Sequence, residues 1–270
     1  MDKKEDAIQY YRQGQSAIQD KKPEKAAISY TRAIKFDKKN LQAHLGIALA
    51  KGEQENYKEA SSLYKIFVIM DPKDAVAYFN FGFVLDMQGR IDESIEMYKK
   101  ALDLNPNDAD GYYNLAIMLT TQENHEEAQK HYLKALELQP SDAYKVLNCF
   151  GYSYFLQGEF IKAVVELQKS IDLNGKYPLA YCNMSLILFC KGKCEEAHRN
   201  FEEGMRILEG DQSKRKAIKE KIASYTSEKI RLETKLNENR GRLDEGKITL
   251  LRTLINGLVN IISLLSQRQS

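Results

Sequence analysis

Three proline pairs constrain this chain more than any other feature. Asp71-Pro72, Asn105-Pro106 and Gln139-Pro140 stand 34 residues apart. Proline lacks an N–H and cannot continue a helix, so each pair reads as a stop that recurs on a fixed period. A short, constant period means one supersecondary unit repeated in series. Such a unit cannot bury its apolar face alone and is stable only when stacked on its neighbours.

Counting from the prolines gives six units, residues 7–40, 41–74, 75–108, 109–142, 144–177 and 178–211, with one extra residue near Ala143 shifting the fifth. The frame holds at places that were not used to set it. The eighth place reads Gly14, Ala48, Gly82, Ala116, Gly151 and Ser185, and the twentieth Ala26, Ala60, Ser94, Ala128, Ala163 and Ala197. All are small, as two closely approaching helix backbones require. The twenty-fourth place reads Tyr30, Tyr64, Tyr98, Tyr132, Leu167 and Phe201, large groups able to fill the space between helices. Place twenty-seven is small again except at Phe67. The spacing of Tyr112, Leu115, Ala116 and Leu119 follows one face of a helix. Each unit is therefore expected to form two antiparallel helices, A then B.

The segment Tyr78-Phe79-Asn80-Phe81-Gly82, followed by Gly89, Ser94, Tyr98, Ala101 and Pro106, resembles a tetratricopeptide repeat, and the likeness runs over residues 7–211. The fold class expected is all-α: a right-handed superhelix (α-solenoid) of six helix-turn-helix units plus C-terminal capping helices. The expected domains are residues 1–211 for the repeats, 212–243 for a charged solvating helix and 244–270 for an apolar amphipathic helix.

The resemblance implies a concave groove lined by the A helices. Carried over residue by residue, it gives Phe79, Phe83 and Met87 from the third unit and Tyr113 and Ile117 from the fourth. The fifth gives Tyr152 and Phe155, and the sixth Leu186 and Phe189. Apolar surface left in water is what a partner can cover; packing against a neighbouring unit or the chain's own tail is the competing reading. A row of Asn80, Asn114, Asn148 and Asn183 accompanies it, with Asn148 one place out of step. An amide both donates and accepts, so such a row can hold a peptide backbone without reading its sequence. It is similar to the asparagine ladder of O-linked N-acetylglucosamine transferases. The basic carboxylate clamp of heat-shock chaperone adaptors is missing, because Tyr11, Gln15, Gly46, Val76 and Asn80 stand at its places.

The repeat pattern ends near Asp211. Residues 212–247 hold 11 Lys and Arg against 6 Asp and Glu, with Ile218, Ile222, Tyr225, Ile230, Leu232 and Leu236 at helix-compatible spacings. The final stretch carries an apolar stripe at Leu251, Leu254, Ile255, Leu258, Ile262 and Leu265. A stripe that wide needs a cover: the chain's own groove, a second copy, or another surface.

Composition narrows the function. Hydrophobic residues at 43% and charged residues at 29% suit a soluble globular chain, and a net charge of +2 does not point to nucleic acid. The opening Met1-Asp2-Lys3-Lys4-Glu5-Asp6 has no apolar run, and Cys149, Cys182, Cys190 and Cys194 sit among helical apolar positions. A reducing cytoplasm is the expected compartment, with membrane contact not expected. Cys190, Cys194 and His198 lack the paired spacing of a zinc site. Neither a phosphate loop nor a nucleophile with an orienting acid occurs. The expectation is no enzyme, no cofactor and no metal. The chain is expected to act as a protein-protein interaction scaffold or adaptor that binds a peptide or helical segment of a partner in the concave groove. The alternative is a self-assembling platform whose C-terminal helix drives oligomerisation or occupies its own groove.

Overall fold

Residues 3–208, 225, 227–238, 249 and 252 are described in the computed structural model of the chain. Among them the secondary structure is entirely helical. The chain divides into two units, Met1–Pro140 and Ser141–Ser270. Unit 1 holds α1 (Lys3–Gln19), α2 (Pro23–Phe36), α3 (Leu41–Glu53), α4 (Tyr57–Met70), α5 (Ala75–Asp86), α6 (Ile91–Leu104), α7 (Ala109–Thr121) and α8 (His125–Glu137). Unit 2 holds α9 (Ala143–Leu156), α10 (Phe160–Leu173), α11 (Pro178–Cys190) and α12 (Cys194–Leu208), then helical residues at 225 and 227–238. Odd-numbered helices are the A helices and even-numbered ones the B helices.

Local chemistry sets the helix ends. The side chains of Asn40 and Asp74 accept from the backbone N–H of Ala43 and Ala77 at 3.0 and 2.9 Å, satisfying amides that the first turns of α3 and α5 leave open. Pro23 and Pro178 open α2 and α11, where a missing N–H costs nothing. The turn between A and B passes through one left-handed residue in every repeat: Lys21, Glu55, Gly89, Glu123, Gly158 and Gly192, with φ between 56° and 78°. The six stand at the same repeat place, so the turn is a property of the repeat.

Small and large residues meet as the repeat frame requires. A Cβ added at Gly82 would lie 3.0 Å from the Tyr98 ring, and one at Gly151 would lie 2.9 Å from Leu167. The Tyr30 ring sits between Gly14 and Gly46, where added Cβ atoms would come within 2.5 and 2.6 Å. Ser94 Oγ donates to the Gly82 carbonyl at 2.8 Å, and Ser185 Oγ to that of Ala197 at 2.8 Å, tying A to B across the close approach. Each helix packs on the next within its unit.

The extra residue of the fifth repeat lies inside α9. That helix has 14 residues, against 12 in α5 and 13 in α7 and α11. Counted from the helix starts, Asn80, Asn114, Asn148 and Asn183 are each the sixth residue of their A helix. The step that Asn148 shows in the sequence frame vanishes at its helix.

Candidate partner-binding site

Within unit 1, successive A helices touch: α1 with α3, α3 with α5, and α5 with α7. That closeness places them on the inner side of the stack. The side chains expected to line the groove in this unit stand on α5 and α7, with Met87 just past the end of α5. Phe83 and Met87 are 42% and 44% exposed, which is much for large apolar groups. Phe79, Asn80, Tyr113, Asn114 and Ile117 are partly buried beside them. Phe79 is anchored edge-on against Tyr98, ring centroids 5.6 Å apart, and so is held rigid with one side still open. Asn114 turns its Nδ2 to the Asp110 carbonyl of its own helix at 2.8 Å. Asp86 ends α5 partly buried, and burial pushes its carboxyl above the ordinary carboxylate range.

Unit 2 presents the corresponding surface in a covered state. Asn148 and Asn183 are 4% and 2% exposed. Asn183 Nδ2 donates to Asn148 Oδ1 at 2.8 Å, and the Tyr225 hydroxyl donates to Asn183 Oδ1 at 2.6 Å. The amide row is thus a relay that ends on a tyrosine from the charged stretch. Tyr225 and Leu232 are buried in one apolar cluster with Phe155, Leu186, Phe201 and Met205. Tyr152, Phe189 and Leu236 pack against that cluster. Burying two such side chains is worth roughly 3–6 kcal/mol before ordering costs.

Electrostatics agree with this seat. Burial pushes the Tyr225 hydroxyl well up, and proximity to Cys182, Tyr152 and Tyr177 adds to it. The Tyr152 hydroxyl is also raised, chiefly by burial, with Glu228 raising it further and Arg231 opposing. The docked helix carries two ion pairs of its own, Arg231–Glu228 at 2.7 Å, partly buried and close to Tyr152, and Lys229–Glu233 at 3.0 Å.

The residues expected to line the groove fall in two different surroundings. Phe79, Asn80, Phe83, Met87, Tyr113, Asn114 and Ile117 form the wall of unit 1. Asn148, Tyr152, Phe155, Asn183, Leu186 and Phe189 of unit 2 are buried or partly buried around Tyr225, Leu232 and Leu236. The spacing of Tyr225, Leu232 and Leu236 was a signal that this stretch has one apolar side, but not of what that side would meet. The stripe Leu251, Leu254, Ile255, Leu258, Ile262 and Leu265 lies outside the described residues. Cys194, expected to pack, is exposed at the start of α12, while Cys182 is buried. Among the described residues no three His, Cys, Asp or Glu side chains are grouped to hold a metal ion, and no helix is long and apolar enough to cross a membrane.

Stacked helical hairpins with an A-helix wall define a class of repeat proteins built around an inner surface. Family comparison specifies the class. Tetratricopeptide repeat models match residues 9–40 and 109–142, and a TPR repeat model matches residues 87–122. The chain is a tetratricopeptide repeat protein.

Solved structures share the all-α repeat fold. Pseudomonas aeruginosa pilF superposes with a TM-score of 0.63 at 18% identity, covering 81% of this chain and 99% of that one. YrrB, described as a TPR protein with an unusual peptide-binding site, gives 0.55 at 21% identity over 70% of this chain and 96% of its own. MamA gives 0.54 at 23% identity over 60% and 95%. At these identities the likeness concerns fold alone. No curated protein matches the sequence.

Proposed function

We propose that the chain is a non-catalytic interaction scaffold that seats a peptide or helical segment of a partner protein on the A-helix wall of unit 1. The observation that carries this reading is the contrast between the two walls. In unit 2 the wall positions are covered by a helix of the same chain, with Tyr225 and Leu232 fully buried. In unit 1 the same positions hold Phe83 and Met87 substantially open to water. Phe79, Tyr113 and Ile117 supply apolar area, and Asn80 and Asn114 supply backbone-pairing amides. The peptide-binding site named for YrrB supports the choice of ligand class. Four cysteines at helical positions, with Cys182 buried, suit a reducing compartment such as the cytoplasm.

Selection of a displayed library of helical peptides on the full chain tests the reading. Enriched peptides are expected to lose at least tenfold in affinity for a Phe83→Ser, Asn80→Ala, Asn114→Ala variant, because two amide contacts and one apolar contact are each worth about 1 kcal/mol or more. Thermal melting should show the variant still folded. Peptides that bind wild type and variant alike, or no enrichment at all, would end it.

A further inference from the structure

We propose that the A-helix wall of unit 2 is a second ligand site, held shut by the chain's own residues 225–238. The external ligand it takes is an amphipathic helix of a partner protein that presents a tyrosine, with leucines seven and eleven residues further on. This rests on reading the A-helix wall as a ligand surface and adds to it the ligand's side-chain code and its competitor.

The code is visible in the bound helix. Tyr225, Leu232 and Leu236 stand at i, i+7 and i+11, two and three turns apart on one helical side. The tyrosine is read at its hydroxyl by Asn183, whose amide is itself oriented by Asn148. A phenylalanine would leave the Asn183 carbonyl oxygen buried without that donor, so the site distinguishes the two residues. The leucines enter the apolar cluster beside Phe155, Leu186 and Phe189. Beside these anchors the helix sets the partly buried pair Arg231–Glu228 close to Tyr152, while Ile230 on another side is 55% exposed. The apolar part of the seat thus rests on three anchors, which another helix with the same spacing can reproduce.

The competition is intramolecular. The segment is joined to α12 through residues 209–224, so its effective concentration at the wall is on the order of millimolar. If the segment's own affinity for the bare wall is about micromolar, an external helix is held off by roughly 100-fold or more in the intact chain.

The test uses the full chain and a fluorescein-labelled synthetic peptide with the sequence of residues 221–240. Fluorescence anisotropy is measured for wild type and for a Leu232→Ser, Leu236→Ser variant, whose own helix is a poor competitor. The variant is expected to bind the peptide at least tenfold more tightly than wild type. A peptide carrying Tyr225→Phe should bind the variant about tenfold more weakly, the worth of one buried hydrogen bond. Adding Asn183→Ala to the variant should abolish the preference for tyrosine, whereas adding Asn80→Ala and Asn114→Ala should change nothing. Equal binding by wild type and variant overturns the proposal. So does binding that depends on Asn80 and Asn114, which would instead favour the unit 1 site. If the double variant does not melt cooperatively, the single Tyr225→Phe chain replaces it, with a gain of several fold expected and no gain overturning the proposal. A wild-type chain that sediments as a dimer, and becomes monomeric on Leu232→Ser and Leu236→Ser, assigns the wall to a second copy and overturns it as well.

Discussion

Glu55 and Glu123 show how a repeat constrains single residues. Both adopt positive φ, 58° and 62°, where other repeats place Gly89, Gly158 and Gly192. A side chain in the left-handed region costs about 1–2 kcal/mol, partly offset because glycine loses more freedom on folding. Glu55→Gly and Glu123→Gly are therefore expected to stabilise the chain by about 0.5–1 kcal/mol each, while Gly89→Ala destabilises it by about 1–2 kcal/mol. Nothing lies within 4 Å of a Cβ built at Gly89, so that loss is a pure backbone effect. Urea unfolding midpoints measure all three. A gain on Gly89→Ala would contradict the turn geometry.

Among the elements, α8 carries a titrating packing group. His131 stacks on Tyr112 with ring centroids 5.7 Å apart and lies 3.8 Å from Glu127, which itself pairs with Lys99 at 3.1 Å. Burial lowers the imidazole pKa below its ordinary 6.5, and Glu127 opposes that shift without reversing it. The unfolded chain thus takes up the proton first as pH falls. Stability held above pH 6.5 is lost as pH drops from there through the folded-state pKa. The melting temperature of wild type is expected to fall further between pH 7 and 5 than that of His131→Gln. Parallel profiles for the two proteins would refute the burial of a neutral ring. The hairpins themselves were legible, since Gly82 against Tyr98 and Gly151 against Leu167 repeat a small-to-large pairing written into each unit. The extra residue near Ala143 was legible too, but that α9 takes it in as a helix of 14 residues, with Asn148 sixth from its start, was not, because the repeat frame does not say where a helix begins.

For the whole molecule, the stack implies local stability. Tyr30, Ala33 and Ala43 belong to a cluster confined to α1–α3, while Phe155, Leu186 and Tyr225 belong to one in unit 2. Repeat arrays share stability chiefly with nearest neighbours. Gly46→Ala puts a methyl 2.6 Å from a Tyr30 ring already closed in by Gly14, and should cost about 1–3 kcal/mol by overpacking. Amide hydrogen exchange should then quicken in α1–α4 and stay unchanged in α9–α12. A uniform loss of protection along the chain would show instead that it unfolds as one body.

The amino-acid sequence by itself determined the helical hairpins and their number. Those features are encoded within each repeat, where small residues must meet large ones a few turns away. Only the tertiary structure decided which wall is open and which is covered. That choice depends on Tyr225 reaching Asn183, 42 residues back along the chain. No periodicity specifies it, because the wall positions of both units look alike until another helix removes one of them from water.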